Sequence, residues 1–301
     1  TPPYALLTDS IKKNPKRDDI FFRRAVLLNK NNLPEPALAD FHKAWLLNNK
    51  EEKYAYAISK LLMDKNSDSA IIFLGNALKD LPNSFLLQLN LARAYDAIDK
   101  TDDALKICDD ILSNNPEKVD ALKLKANLLD KINDEDKAIN TLEKAYALAP
   151  FDIDLNYTLA EKYAESNNKK VIALCDSLIS KDSMQTHAEP YYYKGIYYSN
   201  LNNNTIALVL FGEAIRRNYN FLPAYIEKGR VLYEQKKINE AMKTFQLANT
   251  ISATFPDAYF WMGKCQEAMG QKDDARLNYQ RAYSLDNTFT EAKEAADKIN
   301  N

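Results

Sequence analysis

Glycine and cysteine are scarce in this 301-residue sequence. Six glycines are too few for a turn-rich β-sandwich or for a fold built on glycine-rich phosphate loops. The three cysteines, Cys108, Cys175 and Cys265, cannot form a closed set of disulfides, and no Cys-x-x-Cys pair suggests a zinc or redox site. No apolar run approaches the roughly 18 residues of a membrane-spanning helix, so the sequence predicts no transmembrane segment. These absences leave a helical protein.

Neither an excess of charge nor a set of catalytic side chains is present. The 40 basic and 42 acidic residues nearly cancel, which argues against a nucleic-acid partner, because such binding needs a basic surface. The only histidines, His42 and His187, have no nucleophile or acid placed beside them by the sequence. No His-Glu-x-x-His motif is found. The sequence therefore predicts no catalytic residue, no metal site and no cofactor.

Alanine and proline recur with a period close to 34 residues. Pro82, Pro116 and Pro150 are spaced 34 residues apart. A large residue comes four positions after each recurring alanine, and a small residue comes seven positions after most of them. The recurring alanines are Ala37, Ala70, Ala104, Ala138, Ala207, Ala241 and Ala275.

This pattern resembles the tetratricopeptide repeat. In that family a 34-residue unit has a small residue at position 8, alanine at 20, an aromatic residue at 24 and alanine at 27. One unit carries Gly229, Ala241, Phe245 and Ala248 at these positions. Eight such units fit in register, and each reads as two helices that must stack on neighbouring units to bury their apolar faces. The resemblance implies an all-α fold, a right-handed α-solenoid (superhelix) of antiparallel helix pairs.

The register divides the chain into three segments. We predict a partial N-terminal helix in residues 1–17, eight repeats in 18–286 and a polar C-terminal capping helix in 287–301. The fifth repeat is irregular because Val171-Ile172 replaces the alanine of position 20 and a longer connection follows. We therefore expect a kink or a subdomain boundary near residues 165–189.

Two finer features follow from the repeat pattern. Thr101 and the pair Asn133-Asp134 open second helices and are predicted to cap them. Ala138 and Ala241, at position 20 of well-formed units, are predicted to lie at tight helix–helix contacts.

The first helices of this family line a concave surface on which protein partners bind. Positions 2, 5, 9 and 12 share that face, which also follows from helix periodicity. Position 5 is mostly apolar or aromatic: Phe22, Ala55, Leu89, Lys123, Tyr157, Tyr192, Ile226 and Phe260. We predict a peptide-binding patch in the second half of the chain, made of Tyr157, Tyr192, Arg230, Tyr233, Phe260 and Lys264. The alternative is that the position-5 side chains pack against the neighbouring first helix.

A more specific activity of the family is not predicted. Its chaperone co-factors grip an acidic carboxyl-terminal tail with a basic and amide clamp, and Lys123 and Asn127 match the opening pair. The next units offer Thr158, Glu189 and Tyr193 where the rest of the clamp should be. The clamp is therefore broken.

The predicted function is a non-catalytic scaffold or adaptor that binds a protein or peptide segment in its concave groove. The alternative is a structural module that self-assembles, including as an exported bacterial lipoprotein scaffold. The chain begins Thr1-Pro2-Pro3 without methionine, so we expect that an upstream segment has been removed or left out. A cytoplasmic and an exported, periplasmic location therefore both stay open, as does a homo-oligomer. The asparagine-, lysine- and tyrosine-rich composition suggests a bacterial source.

Overall fold

The computed structural model describes residues 4–299, and this range folds into eighteen α-helices without a strand. The helices are α1 Ala5–Lys13, α2 Asp18–Lys30, α3 Pro34–Leu47, α4 Glu52–Lys65, α5 Ser67–Asp80, α6 Phe85–Asp96, α7 Thr101–Asn114, α8 Val119–Lys131, α9 Glu135–Leu148, α10 Ile153–Glu165, α11 Lys170–Lys181, α12 Glu189–Asn200, α13 Asn204–Arg217, α14 Leu222–Glu234, α15 Ile238–Ile251, α16 Pro256–Ala268, α17 Lys272–Leu285 and α18 Thr290–Ile299. Parts of the predicted terminal segments, residues 1–3 (Thr1-Pro2-Pro3) and 300–301, lie outside the described residues.

The chain forms two compact units, Thr1–Leu155 and Asn156–Asn301. In the first unit α2 packs on α3, α4 on α5, α6 on α7 and α8 on α9. In the second unit α12 packs on α13, α14 on α15 and α16 on α17. The predicted all-α solenoid of helix pairs is confirmed. The division between the units falls within α10, and the kink expected near residues 165–189 stays a prediction.

Small residues lie where the two helices of a pair meet. Ala138 and Ala241 at position 20 are buried, with 1% and 0% exposure. In three repeats of the second unit, a glycine at position 8 faces an aromatic ring at position 24 of the partner helix. These pairs are Gly195 with Phe211, Gly229 with Phe245, and Gly263 with Tyr279. A missing side chain on one helix thus makes room for a large ring on the other.

The turns between the paired helices repeat one backbone conformation. In most described repeats, the residue at position 15 has a positive φ and lies two or three residues after the end of the first helix. These residues are Asn32, Asp99, Asn133, Asn167, Asn202, Lys236 and Gly270. Glycine adopts the left-handed region without penalty, and asparagine and aspartate tolerate it because their short side chains bond locally. Lys236, with φ 62°, is the exception to these residue types.

Replacing Lys236 with asparagine is expected to stabilise the protein by about 0.5–1 kcal/mol, because the left-handed conformation costs lysine more. Because the side chain of Lys236 is exposed, replacing it should cost few packing contacts. Urea unfolding midpoints of the two proteins test this. A matched change at Lys243, an exposed lysine in the interior of α15 with helical backbone, should give no gain. An equal gain at both positions would contradict the explanation.

The helix caps were predicted with mixed success. The Asp134 side chain accepts a hydrogen bond from the backbone N–H of Lys137, at 3.4 Å, so this cap is confirmed. The prediction for Thr101 is wrong, because α7 begins at Thr101 itself and the residue before it is Lys100. Asn66 and Ser84 are caps that the sequence analysis missed.

No helix within residues 4–299 combines the length and the apolar character needed to cross a bilayer.

Candidate partner-binding face

The first helices of the second unit form one continuous side. Helix α12 contacts α14, and α14 contacts α16, in addition to the contacts within each pair. Tyr157 of α10 lies beside Tyr193 of α12, with ring centroids 6.4 Å apart. We call the solvent-facing side chains of α12, α14, α16 and the part of α10 from Asn156 onward the inner face.

Phe260 does not belong to the inner face, and its prediction as a groove residue is wrong. Its side chain is only 3% exposed. The ring lies 4.9 Å from that of Phe289 and 5.6 Å from that of Tyr279. Position 5 directs the side chain between its own helix pair and the next helix, where these rings cover it. Ile226, at the same position one repeat earlier, is buried for the same reason.

Tyr157 and Tyr192 are each partly packed against other side chains and partly exposed. Tyr192 is half-buried, with its ring 5.3 Å from Phe221 and 6.0 Å from Phe211. The Tyr157 hydroxyl forms a hydrogen bond with Nδ1 of His187, in the connection between α11 and α12. Burial, and next the carboxylate of Glu189, raise the pKa of Tyr157.

Arg230 is held in a defined position on the inner face. Its Nη1 donates to both carboxylate oxygens of Glu227, at 2.8 and 3.1 Å. The guanidinium carbon lies 5.6 Å from the centroid of Trp261, a distance at which cation and ring attract. The ring of Tyr233 lies 5.9 Å from that of Trp261. Arg230, Tyr233 and Trp261 thus form one cluster across α14 and α16.

Lys264 is the last predicted patch residue. It is half-buried, and its ammonium lies 5.2 Å from the ring centroid of Phe260, above the buried ring. Lys264 therefore covers the ring of Phe260. At this point of the inner face the side chain at the surface is that of Lys264, not that of Phe260.

Sequence reasoning missed three side chains of the inner face, all at position 6. They are Tyr193, Glu227 and Trp261, and each is partly exposed. Because positions 2, 6, 9 and 13 are three or four residues apart, their side chains lie on one face of the first helix. Positions 5 and 9 alone define this face less accurately. The sequence shows these residues at position 6 of successive repeats, directly after position 5, from which the patch was predicted.

Burial leaves the carboxylate of Glu227 in an unfavourable environment. Its side chain is only 16% exposed, and burial raises its pKa despite the attraction of Arg230. Burial also raises the pKa of Asp257, at position 2 of the last repeat. The inner face therefore holds partly desolvated negative charge.

We expect the Glu227→Gln variant to gain stability relative to the wild type as pH rises. Because the folded-state pKa of Glu227 lies above its ordinary value, its ionisation opposes folding. The opposition grows from the ordinary glutamate pKa up to the raised value and is constant above it. The difference in free energy of unfolding between variant and wild type should therefore increase from about pH 4 to about pH 7. Urea titrations at both pH values measure it. A difference that falls over this range would contradict the burial argument.

The cysteines carry no sign of reactivity. Cys108, Cys175 and Cys265 are buried, and burial raises the pKa of each thiol to about 12. A thiol with this pKa stays protonated near neutral pH and behaves as a small apolar side chain. Among residues 4–299, no group of three or more histidine, cysteine, aspartate or glutamate side chains is arranged to hold a metal ion.

Lys123, the residue that would open the carboxylate clamp, forms an ion pair within the first unit. The Lys123 ammonium lies 2.9 Å from Oδ2 of Asp152. Lys123 is therefore engaged within the protein.

Comparison with known proteins identifies the repeats. Sequence models of the tetratricopeptide repeat match residues 61–128, 119–152, 222–255 and 257–286, which together make up just over half of the chain. The chain belongs to the tetratricopeptide repeat family. A curated relative, the TPR repeat-containing protein MJ0263 of Methanocaldococcus jannaschii, is 33% identical over 91 residues. That match covers 28% of this chain and 28% of the relative, so the chain spans well under two thirds of the relative's length.

Solved structures of the family share the fold. A tetratricopeptide repeat protein from Parabacteroides merdae superposes with a TM-score of 0.67 at 20% identity, covering 83% of this chain and 98% of that one. The Cut9–Hcn1 hetero-tetramer of APC/C matches with a TM-score of 0.53 at 14% identity, covering 97% of this chain and 57% of that one. At these identities the likeness concerns the fold alone. Family membership supports a protein-interaction scaffold in general terms.

Proposed function

We propose that this protein is a non-catalytic scaffold whose inner face in the second unit binds a segment of a partner protein. The observation that carries the proposal is the grouping of Tyr193, Arg230 and Trp261 on a face built from first helices. Tyrosine, tryptophan and arginine are the residue types that dominate binding energy at protein interfaces. The general role as an interaction scaffold is the one that membership of the tetratricopeptide repeat family supports.

The arrangement of these side chains favours binding. Arg230 is fixed by Glu227 on one side and Trp261 on the other, so it loses little freedom when a partner binds. The ring of Tyr233 contacts that of Trp261, the ring of Tyr192 contacts that of Tyr193, and both pairs offer large surfaces. The proposed binding face consists of Tyr157, Tyr192, Tyr193, Arg230, Tyr233, Trp261 and Lys264.

Self-assembly is the second candidate function, and the second helices of the second unit provide the observation for it. Val209 and Leu277, both at position 22, are 68% and 59% exposed, and Leu247 is 48% exposed. Single exposed apolar residues are normal on protein surfaces, which makes this candidate weaker. It requires an oligomer, so light scattering that gives a monomer mass at high concentration would remove it.

Replacing Tyr193 with alanine is expected to weaken partner binding by about 2 kcal/mol, or roughly 30-fold, because a central aromatic anchor is lost. The partner is first captured from native cells with the full chain, then purified, and its affinity is measured by calorimetry.

The matched control is Tyr219→Ala. Tyr219 is a tyrosine with 57% exposure in the connection between α13 and α14, outside the first helices that form the inner face. It should leave the affinity unchanged. Equal affinities of both folded variants and the wild type would exclude the inner face as the binding site.

A further inference from the structure

We infer that the partner segment is cationic, with a lysine or arginine side chain that enters the inner face among Tyr157, Tyr192, Tyr193 and the surrounding carboxylates. The inference rests on the proposed function and names the chemical class of the partner. This part of the inner face is formed by α10, α12 and α14.

Carboxylates from three helices surround two adjacent tyrosines. The rings of Tyr192 and Tyr193 are 5.5 Å apart. From Asn156 onward, positions 2, 6, 9 and 13 of α10, α12 and α14 share the inner face and carry five carboxylates against one cation, Arg230. The carboxylates are those of Glu161, Glu165, Glu189, Glu227 and Glu234. Glu161, together with Glu189 of α12, acts on the hydroxyl of Tyr193. A cation placed beside these rings would therefore face negative charge from all three helices.

The negative charge of this face is a local feature. Acidic and basic residues are nearly balanced over residues 156–301. Lys194 of α12 does not offset the inner face, because its ammonium pairs with Asp176 of the second helix α11, at 2.5 Å. Lys162 of α10 pairs with Glu165 of the same helix, at 3.0 Å. Lys194 and Lys162 are thus each paired, and Arg230 pairs with Glu227 on the inner face itself.

The neighbouring repeat shows how such a face holds a cation. There, the guanidinium of Arg230 lies between the carboxylate of Glu227 and the ring of Trp261. The tyrosine cluster presents the same combination of carboxylate and aromatic face one repeat earlier, around Tyr193. Aromatic rings attract lysine and arginine side chains, and the attraction is stronger where water is partly excluded. An anionic segment would instead bring like charges together, which is costly at an interface.

Two labelled peptides of equal length and equal apolar content provide the probe. One carries arginines at fixed positions, and the other carries glutamates at the same positions. Fluorescence anisotropy with the full chain should show the arginine peptide binding at least about tenfold more tightly than the glutamate peptide. The preference should shrink at high salt, because ions screen partly exposed charges. Equal or tighter binding of the glutamate peptide would overturn the inference.

Variants that replace a carboxylate with a neutral amide test which side chains cause the preference for the arginine peptide. Glu161→Gln and Glu227→Gln should each weaken the arginine peptide about three- to tenfold. The matched control is Glu240→Gln, which removes an exposed carboxylate from the second helix α15 and should change nothing. Affinities of Glu161→Gln and Glu227→Gln that equal the control would overturn the inference.

Affinity measurements with the native partner distinguish a failure of this inference from a failure of the proposed function. If Tyr193→Ala weakens partner binding while both glutamine variants bind like the control, the inner face binds its partner but the cationic assignment fails. If all three variants bind the partner like the wild type, the proposed function fails as well.

Discussion

Replacing Phe260 with alanine is expected to lower the free energy of unfolding by about 3–5 kcal/mol, the usual cost of removing a buried phenylalanine ring. The ring is 3% exposed and lies against Phe289 and Tyr279. Its removal would leave a cavity at the junction of the last helix pair and α18. The loss includes the transfer of the ring to water and the contacts of the rings that surround it.

Urea unfolding of the full chain measures this loss. Lys264→Ala is the matched control, because its ammonium lies above the same ring while its side chain is partly exposed. It should cost less than about 1 kcal/mol, in the range of surface cation–ring contacts. A cost for Phe260→Ala as small as that of the control would return Phe260 to the surface, where the sequence pattern alone had predicted it.

Gly229→Ala is expected to destabilise the protein by about 1–3 kcal/mol, the typical cost of overpacking a core. A methyl group at this position would lie well inside van der Waals contact with three carbons of the Phe245 ring. The ring is fully buried and stacks on Trp261, with centroids 5.8 Å apart, so it cannot move aside freely. The two helices of the pair would have to separate.

Gly75→Ala is the matched control and should have the opposite sign. Gly75 lies in the interior of α5, and a methyl group there would meet no atom within 4 Å. Alanine in a helix interior is more stable than glycine by about 0.5–1 kcal/mol. Unfolding midpoints that move in opposite directions would support the packing account. Two shifts of the same sign would contradict it.

The helix pairs could be predicted from the sequence because their packing requires small residues at a fixed interval. Alanines such as Ala138 and Ala241 recur every 34 residues or so, and each is buried against its partner helix. A repeated steric requirement leaves a periodic signal, even where the individual repeats are divergent. The turn residues, Asn133 and Asn167 among them, carry a similar signal that sequence reasoning overlooked.

The candidate site was predicted less well because it depends on helix rotation. A step of one residue turns a side chain by about 100° around the helix, so positions 5 and 6 face different surroundings. Phe260 is consequently buried, whereas the next residue, Trp261, is partly exposed. The contact between Tyr157 and His187 depends on the irregular connection before α12, for which the repeat pattern provides no information.

Site-specific photo-crosslinking tests the proposed binding face most directly. A photoreactive phenylalanine analogue is placed at Ile196 or Lys264 on first helices, and at Lys243 or Leu277 on second helices, in separate full-length variants. We expect the purified partner to be linked from Ile196 and Lys264 and not from Lys243 or Leu277. Crosslinks from Lys243 and Leu277 alone would place the partner on the second helices and contradict the proposed function.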